Sequence, residues 1–195
     1  MTQAAIDSAA RTVIARKGIL AATVAEIATE AGKSTASFYN YYDSKEAMVL
    51  EWAVRFRDEA GERAKAVTQH GLSDRERINQ AAAAHWHTYR HRLAEMISVS
   101  QLAMVNDEFA QHWTELCSIP IEFITETVIR AQSDGYCAGD DPHLVARALV
   151  SMLNQFCYLQ LSGANGQAAA DIDDNACIAT LSNIFYRAIY SKGTS

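Results

Sequence analysis

The sequence has little proline, no long apolar run and no paired-cysteine motif, and each absence narrows what its 195 residues can be. Only Pro120 and Pro142 occur, and β-branched residues never sustain a two-residue alternation, so long helices are the natural reading and an all-α fold is expected. No stretch of about 18 apolar residues exists, so no membrane span or membrane partner is expected. The first residues, MTQAAIDSAARTVIARKG, lack the basic start and apolar centre of a signal peptide, which points to the cytoplasm. Cys117, Cys137, Cys157 and Cys177 lie in surroundings that do not repeat, and none forms a CxxC pair. They read as buried free thiols.

Positive charge is also scarce. The net charge of -6 argues superficially against nucleic acid, because phosphate contacts need cations. Its distribution matters more. Residues 1–48 balance Arg11, Arg16, Lys17, Lys33 and Lys45 against Asp7, Glu26, Glu30, Asp43 and Glu46, so the whole acidic excess lies further on. A neutral head on an acidic body can still bind DNA if its few cations face the backbone, while the body discourages nonspecific adhesion.

What is present begins with a helix predicted over Gln3 to Lys17. Ile6, Ala9, Ala10, Val13 and Ile14 form its apolar stripe, and Gly18 follows the basic pair Arg16-Lys17. Thr23-Val24-Ala25-Glu26 reads as a capping box. The short helix it starts buries Val24, Ile27, Ala28 and Ala31 and ends at Gly32. Ser34 is a plausible cap for a second short helix running to about Tyr41, whose Phe38, with Tyr42 just beyond, should face the core. Thr35, Ser37, Tyr39 and Tyr41 are left for the other side. A solvated helix would normally carry Glu and Lys there, whereas hydroxyls and tyrosines suit phosphates and base edges. Lys33 and Lys45 flank this face and are expected to pair with phosphates.

Gly18, Thr23-Val24-x-x-Ile27-Ala28-x-x-Ala31-Gly32, Ser34, Phe38-Tyr39-x-x-Tyr42 and Ser44-Lys45-Glu46-Ala47 together resemble the N-terminal DNA-binding domain of TetR-family transcriptional regulators. The resemblance covers about 45 residues in order, without gaps. Lys33 stands where the family usually has a small aliphatic residue, Thr35 where a basic or polar one is common, and Ile14 where Phe is frequent. The resemblance implies a helix-turn-helix domain over 1–48 and a helical ligand-binding and dimerisation domain over 49–195. It implies DNA contacts from Thr23, Lys33, Ser34, Thr35, Ser37, Tyr39, Asn40, Tyr41 and Lys45. A repressor released from a palindromic double-stranded operator by a small, mostly apolar effector is the expected function. The alternative is a helical ligand- or protein-binding module without sequence-specific DNA binding, which salt dependence would separate from the first reading.

A long helix is predicted from Ser44 to about Thr68, with Met48, Trp52, Val54, Phe56 and Ala60 on its apolar side and Arg55, Arg57 and Arg63 outside. Further segments should cover Ser73 to His91, Leu93 to Asn106, and Asp107 to Ser133 with a kink or split at Pro120. Trp86, Tyr89, Met96, Phe109, Trp113, Phe123 and Tyr158 are the large side chains these helices can turn toward a ligand. The last two helices, Asp141 to Ser162 and Asp171 to Ser191, are broadly apolar. By the resemblance they pair with a second copy through Val145, Leu149, Met152, Phe156, Ile178, Leu181 and Phe185. Dimerisation would hold two recognition helices about 34 to 36 Å apart, matching a palindrome.

Two other chemistries are weighed. His87 and His91 lie four apart, with His85 and Glu95 nearby, a spacing that can hold a metal. HExxH, paired ExxH and a nearby Cys pair are all missing, so the histidines read as polar surface or pocket lining. No cysteine or serine has a recognisable partner base for nucleophilic catalysis. Neither an enzyme nor a cofactor is expected.

Overall fold

Capping side chains and glycines decide where the helices start and stop in the computed structural model, which describes residues 3–66, 71–163 and 171–190, with the backbone alone over 57–66. All regular structure among these residues is helical: α1 (Gln3–Lys17), α2 (Val24–Glu30), α3 (Thr35–Tyr39), α4 (Lys45–Ala66), α5 (Asp74–Ala103), α6 (Asp107–Ser133), α7 (Pro142–Leu161) and α8 (Asp174–Tyr190). Helix α1 has the predicted bounds. Helix α5 starts at a second capping box, in which Ser73 and Glu76 exchange hydrogen bonds of 2.7 to 3.3 Å. Asn106 caps α6, and Asp141 caps α7 with Pro142 at its first position.

The two segments expected on either side of Arg92 meet at a kink, where Arg92 leaves helical geometry at φ -130° and ψ 28°. Two other boundaries differ from the sequence reading. Helix α6 runs through Pro120 without splitting. The pyrrolidine φ is compatible with a helix, and one backbone hydrogen bond is forgone. Helix α8 begins at Asp174 rather than Asp171, because Asp173 Oδ1 accepts from the Ala176 amide. The expected end of α4 at Thr68, the end of α8 at Ser191, and the orientations of Arg57, Ala60 and Arg63 lie outside the described residues.

The chain forms two compact units, the first from residues 1–68 and 92–116, the second from 69–91 and 117–195. The first unit is more than a helix-turn-helix. Its core joins Ile6, Val13, Ile14, Ile27, Phe38, Met48 and Trp52 to Val99, Leu102 and Phe109 from the end of α5 and the start of α6. The second unit buries Ile78, Trp86, Ile124, Val128, Leu153 and Phe185. Helices α5 and α6 each contribute residues to both units. No helix of the described residues is long and apolar enough to cross a membrane.

Candidate nucleic-acid interface and ligand-facing cluster

Two short helices joined by a tight turn shape the outer face of the first unit. The predicted capping box is formed: Thr23 Oγ1 accepts from the Glu26 amide at 3.2 Å, and Glu26 Oε2 accepts from the Thr23 amide at 3.0 Å. Glu26 also takes a 2.7 Å bond from Lys17, which together with the Thr23 contacts lowers its carboxyl to about 2. Gly32, at φ +64°, turns the chain after α2, and the Lys33 amide closes the turn on the Ala28 carbonyl at 2.8 Å. Ser34 occupies the N-cap of α3 but makes no capping bond; its hydroxyl lies 3.2 Å from that of Ser37.

Helix α3 has five residues and ends before Tyr41, so it spans only about 7 Å. Alone it would not be stable. Phe38 anchors it, fully buried with its ring 5.6 Å from those of both Tyr39 and Tyr42. Tyr42 in turn donates to buried Asp7 at 2.6 Å and accepts from Gln3 at 2.8 Å. Burial and the neighbouring Asp7 carboxylate raise the Tyr42 phenol above its ordinary value. With its core side fixed, α3 presents Thr35, Tyr39 and Asn40 to solvent beside Lys33 and Ser34, with Tyr39 56% exposed. Thr23 is exposed too, whereas Ser37 and Tyr41 are half-buried, Tyr41 packing on the core. Lys33 makes no ion pair among the described residues, while Arg16 and Lys17 are paired with Glu30 and Glu26.

Lys45 does something other than expected. Its ammonium donates to the carbonyls of Ile19 at 2.7 Å and Ala22 at 2.9 Å, and it lies 3.9 Å from the Glu46 carboxylate. Held by carbonyls, it ties α4 to the turn after α1 and is not directed outward to phosphate. The same turn is gripped by Gln101, whose Oε1 accepts from the Ile19 amide at 3.0 Å. Gly18 permits this grip: its φ is +77°, and a Cβ there would lie 2.5 Å from Gln101 Oε1. Nearby on α5, buried Glu95 accepts from Arg11 at 2.9 Å and pairs with Arg92 at 3.6 Å, and the Arg11 guanidinium stacks 4.8 Å over Trp52. Sequence reasoning missed Gln101 and Glu95 as partners of the head. They sit more than 80 residues from Ile19 and Arg11, and no local motif marks such a pairing.

The seven expected ligand residues separate. Trp86, Tyr89, Phe123 and Tyr158 belong to the second unit, Trp86 and Tyr89 buried and the others partly so. Met96, Phe109 and Trp113 belong to the first unit, where Phe109 is core and Trp113 packs against it. Around Tyr89 the structure gathers polar groups the sequence did not point to. The His85 ring lies 5.4 Å from that of Tyr89, Asn154 hydrogen-bonds His85, and Asn154 Nδ2 is 3.8 Å from Cys117 Sγ. Burial lowers His85 to about 4 and raises Cys157 to about 12.

His87 and His91 have rings 6.2 Å apart, His91 Nδ1 lies 2.7 Å from the His87 carbonyl, and Glu95 is engaged by arginines. Among the described residues no three His, Cys, Asp or Glu side chains converge as a metal site.

The expected subunit interface needs a correction. Leu149, Leu181 and Phe185 are buried in the core of the single chain, and Val145, Met152, Phe156 and Ile178 are half-buried. On α7 and α8 the large apolar side chains left outside are Leu144 (63% exposed), Leu159 (44%) and Ile184 (43%), accompanied by exposed Ala148 and Ala188. Both helices are apolar on more than one side, so periodicity alone could not tell the inward stripe from the outward one.

Comparison with known proteins gives a consistent picture. Residues 6–52 match the family model described as bacterial regulatory proteins, tetR family. The HTH-type transcriptional repressor KstR2 of Rhodococcus jostii (strain RHA1) is 29% identical over 118 residues, covering 53% of this chain and 57% of that protein. The aligned part thus spans little more than half the length of that relative. Among solved structures, a TetR-like transcriptional regulator from Rhodococcus sp. RHA1 superposes with a TM-score of 0.70 at 19% identity, covering 97% of this chain and 96% of the other. FadR from Bacillus subtilis in complex with stearoyl-CoA gives 0.66 at 18%, covering 98% and 100%. A regulator from Saccharomonospora viridis in complex with choline gives 0.67 at 22%, covering 94% of each chain.

Proposed function

We propose that the chain is a member of the tetR family of bacterial regulatory proteins, whose family model its residues 6–52 match, and that it is a cytoplasmic, ligand-responsive repressor. It binds a palindromic DNA operator as a homodimer and is released by a small effector. The observation that carries this reading is the exposed face of Lys33, Ser34, Thr35, Tyr39 and Asn40, mounted on a helix whose opposite side is locked by Phe38. Hydroxyls, an amide and one cation free of ion pairs suit phosphate and base-edge contacts. Two heads are needed, because one such face neutralises few phosphates. The second copy docks on Leu144, Leu159 and Ile184, where the alanines beside them let helices approach closely.

The effector binds in the second unit. Chains of this fold hold ligands as unlike as stearoyl-CoA and choline, so side chains rather than the fold select the effector. Helix α5 supplies a covalent route between the units, since residues beyond its break at Arg92 hold α1 through Glu95 and the turn after it through Gln101. A coupling of about 1–3 kcal/mol is typical of such a switch.

Fluorescence anisotropy with a duplex enriched from a random-sequence library tests this function. Tyr39→Ala is expected to weaken binding about tenfold, roughly 1.4 kcal/mol, with an unchanged melting temperature. Lys45→Met is expected to weaken binding and also lower the melting temperature, since α4 loses its tie to the turn after α1. Wild-type affinity in Tyr39→Ala would remove α3 from the reading surface.

A further inference from the structure

One buried carboxylate in the first unit faces two arginines that lead to different places. Glu95, on α5, is 2% exposed. Its Oε1 accepts from Arg11 Nε at 2.9 Å and lies 3.6 Å from Arg92 Nη1, whereas Oε2 has no hydrogen-bond partner among the described residues. The first contact is a charge-assisted hydrogen bond; the second is too long to be one and is an ion pair alone. A carboxylate so enclosed is costly to leave half-satisfied. Its unbonded oxygen is an acceptor for whichever guanidinium turns further toward it.

Arg11 belongs to α1, and its guanidinium lies 4.8 Å over the ring of Trp52 on α4. The Arg11–Glu95 bond therefore ties α1, α4 and α5 at one point. The Trp52 indole N–H has no acceptor among the described residues, which leaves the Arg11 guanidinium as the polar hold on that ring. Arg92 stands at the kink of α5, where the chain also passes from the second unit into the first. Glu95 follows it by three residues, a spacing at which helical side chains meet. A change of φ and ψ at Arg92 thus re-aims its guanidinium relative to Glu95.

We propose that Glu95 is a positioning residue for DNA binding and that Arg11 and Arg92 compete for its carboxylate. With Arg92 held off at 3.6 Å, Glu95 keeps Arg11 on Trp52 and α1 is fixed against α4. When Arg92 closes to hydrogen-bonding distance, the hold on Arg11 weakens and α1 loosens. The backbone at the kink thereby regulates the grip on DNA from outside the reading surface. The inference rests on the reading of the first unit as a DNA-binding head and adds the element that controls its affinity.

The test is anisotropy with the enriched duplex, each variant measured well below its melting temperature. Arg11→Met and Glu95→Gln should each weaken binding about threefold or more, and the double variant should be no weaker than the worse of the two, since both remove one bond. Arg92→Met should instead tighten binding about threefold, because Glu95 is left to Arg11, and should do nothing in the Glu95→Gln background. If Arg11→Met does not fold, Arg11→Lys, which keeps the charge and lacks the Nε donor, takes its place with the same expected sign. A cluster with only a structural role gives both arginine variants one sign, because either loss leaves the buried carboxylate less compensated. Shifts of one sign, or an Arg92→Met effect that persists with Glu95→Gln, would overturn the inference and leave the DNA-binding reading standing. A wild-type chain that binds no duplex in preference to a scrambled one would defeat that reading, and the inference with it.

Discussion

Phe38→Ala is expected to cost about 3–5 kcal/mol, the range for truncating a fully buried aromatic side chain, and to abolish duplex binding. Phe38 is fully buried and has Tyr39 and Tyr42 rings on it, while the helix that carries it is five residues long. A helix of that length has no independent stability, so its position relative to α2 is set by this one anchor. Because stabilities of native chains are only about 5–15 kcal/mol, the loss should appear as a fall in melting temperature of roughly 6–20 °C at about 2–4 °C per kcal/mol for a chain of this size. Calorimetry checks the fall, and anisotropy checks the loss of duplex binding. The contrast with Tyr39→Ala is the informative part: adjacent residues on one helix, one acting through the fold and one through the surface. A Phe38→Ala chain that melts like wild type would show that α3 is not held as described.

The second large effect is on acid stability. His85 is lowered to about 4 from an ordinary value of 6.5, chiefly by burial. The unfolded chain therefore binds a proton between those two pH values while the folded chain does not, so stability rises with pH across that window. The full contribution is present above pH 6.5 and is lost as pH falls toward about 4. A separation of about 2.5 units corresponds to about 3 kcal/mol at 1.36 kcal/mol per unit. Urea unfolding at pH 7, 5.5 and 4.5 should show this loss in the wild type and its absence in His85→Phe, with carboxylates common to both cancelling in the difference. Parallel pH profiles of the two chains would contradict the burial of a neutral imidazole.

How much of this was legible in the sequence depends on how local each feature is. The Thr23–Glu26 box, the turn at Gly32 and the core side of α3 at Phe38 and Tyr42 are local patterns, and the structure has each of them. Lys45 was legible as a cation next to the recognition helix, but its carbonyl partners at Ile19 and Ala22 come from chain folding back, which no spacing rule encodes. The same holds for Gln101 against Gly18 and Glu95 against Arg11. In the second unit, large aromatic side chains drew attention as ligand residues, yet Phe109 proved to be core of the first unit. The more distinctive polar groups there, His85 and Asn154, lie on different helices and become a cluster only in three dimensions. On α7 and α8, apolar residues on several faces hid which stripe was left outside, and burial moved it from Leu149, Leu181 and Phe185 to Leu144, Leu159 and Ile184.

The central claim is that a nearly neutral head, with Lys33 as its outward cation, grips DNA only as one of a pair. It is tested most directly by the salt dependence of binding to the enriched duplex, measured by anisotropy from low to physiological salt with the stoichiometry determined alongside. The account predicts two chains per palindrome and a slope of log affinity against log salt of about -2 or steeper, at least one phosphate for each head at about -0.9 per phosphate. A flat salt response, with a scrambled duplex bound as tightly as the enriched one, would contradict it.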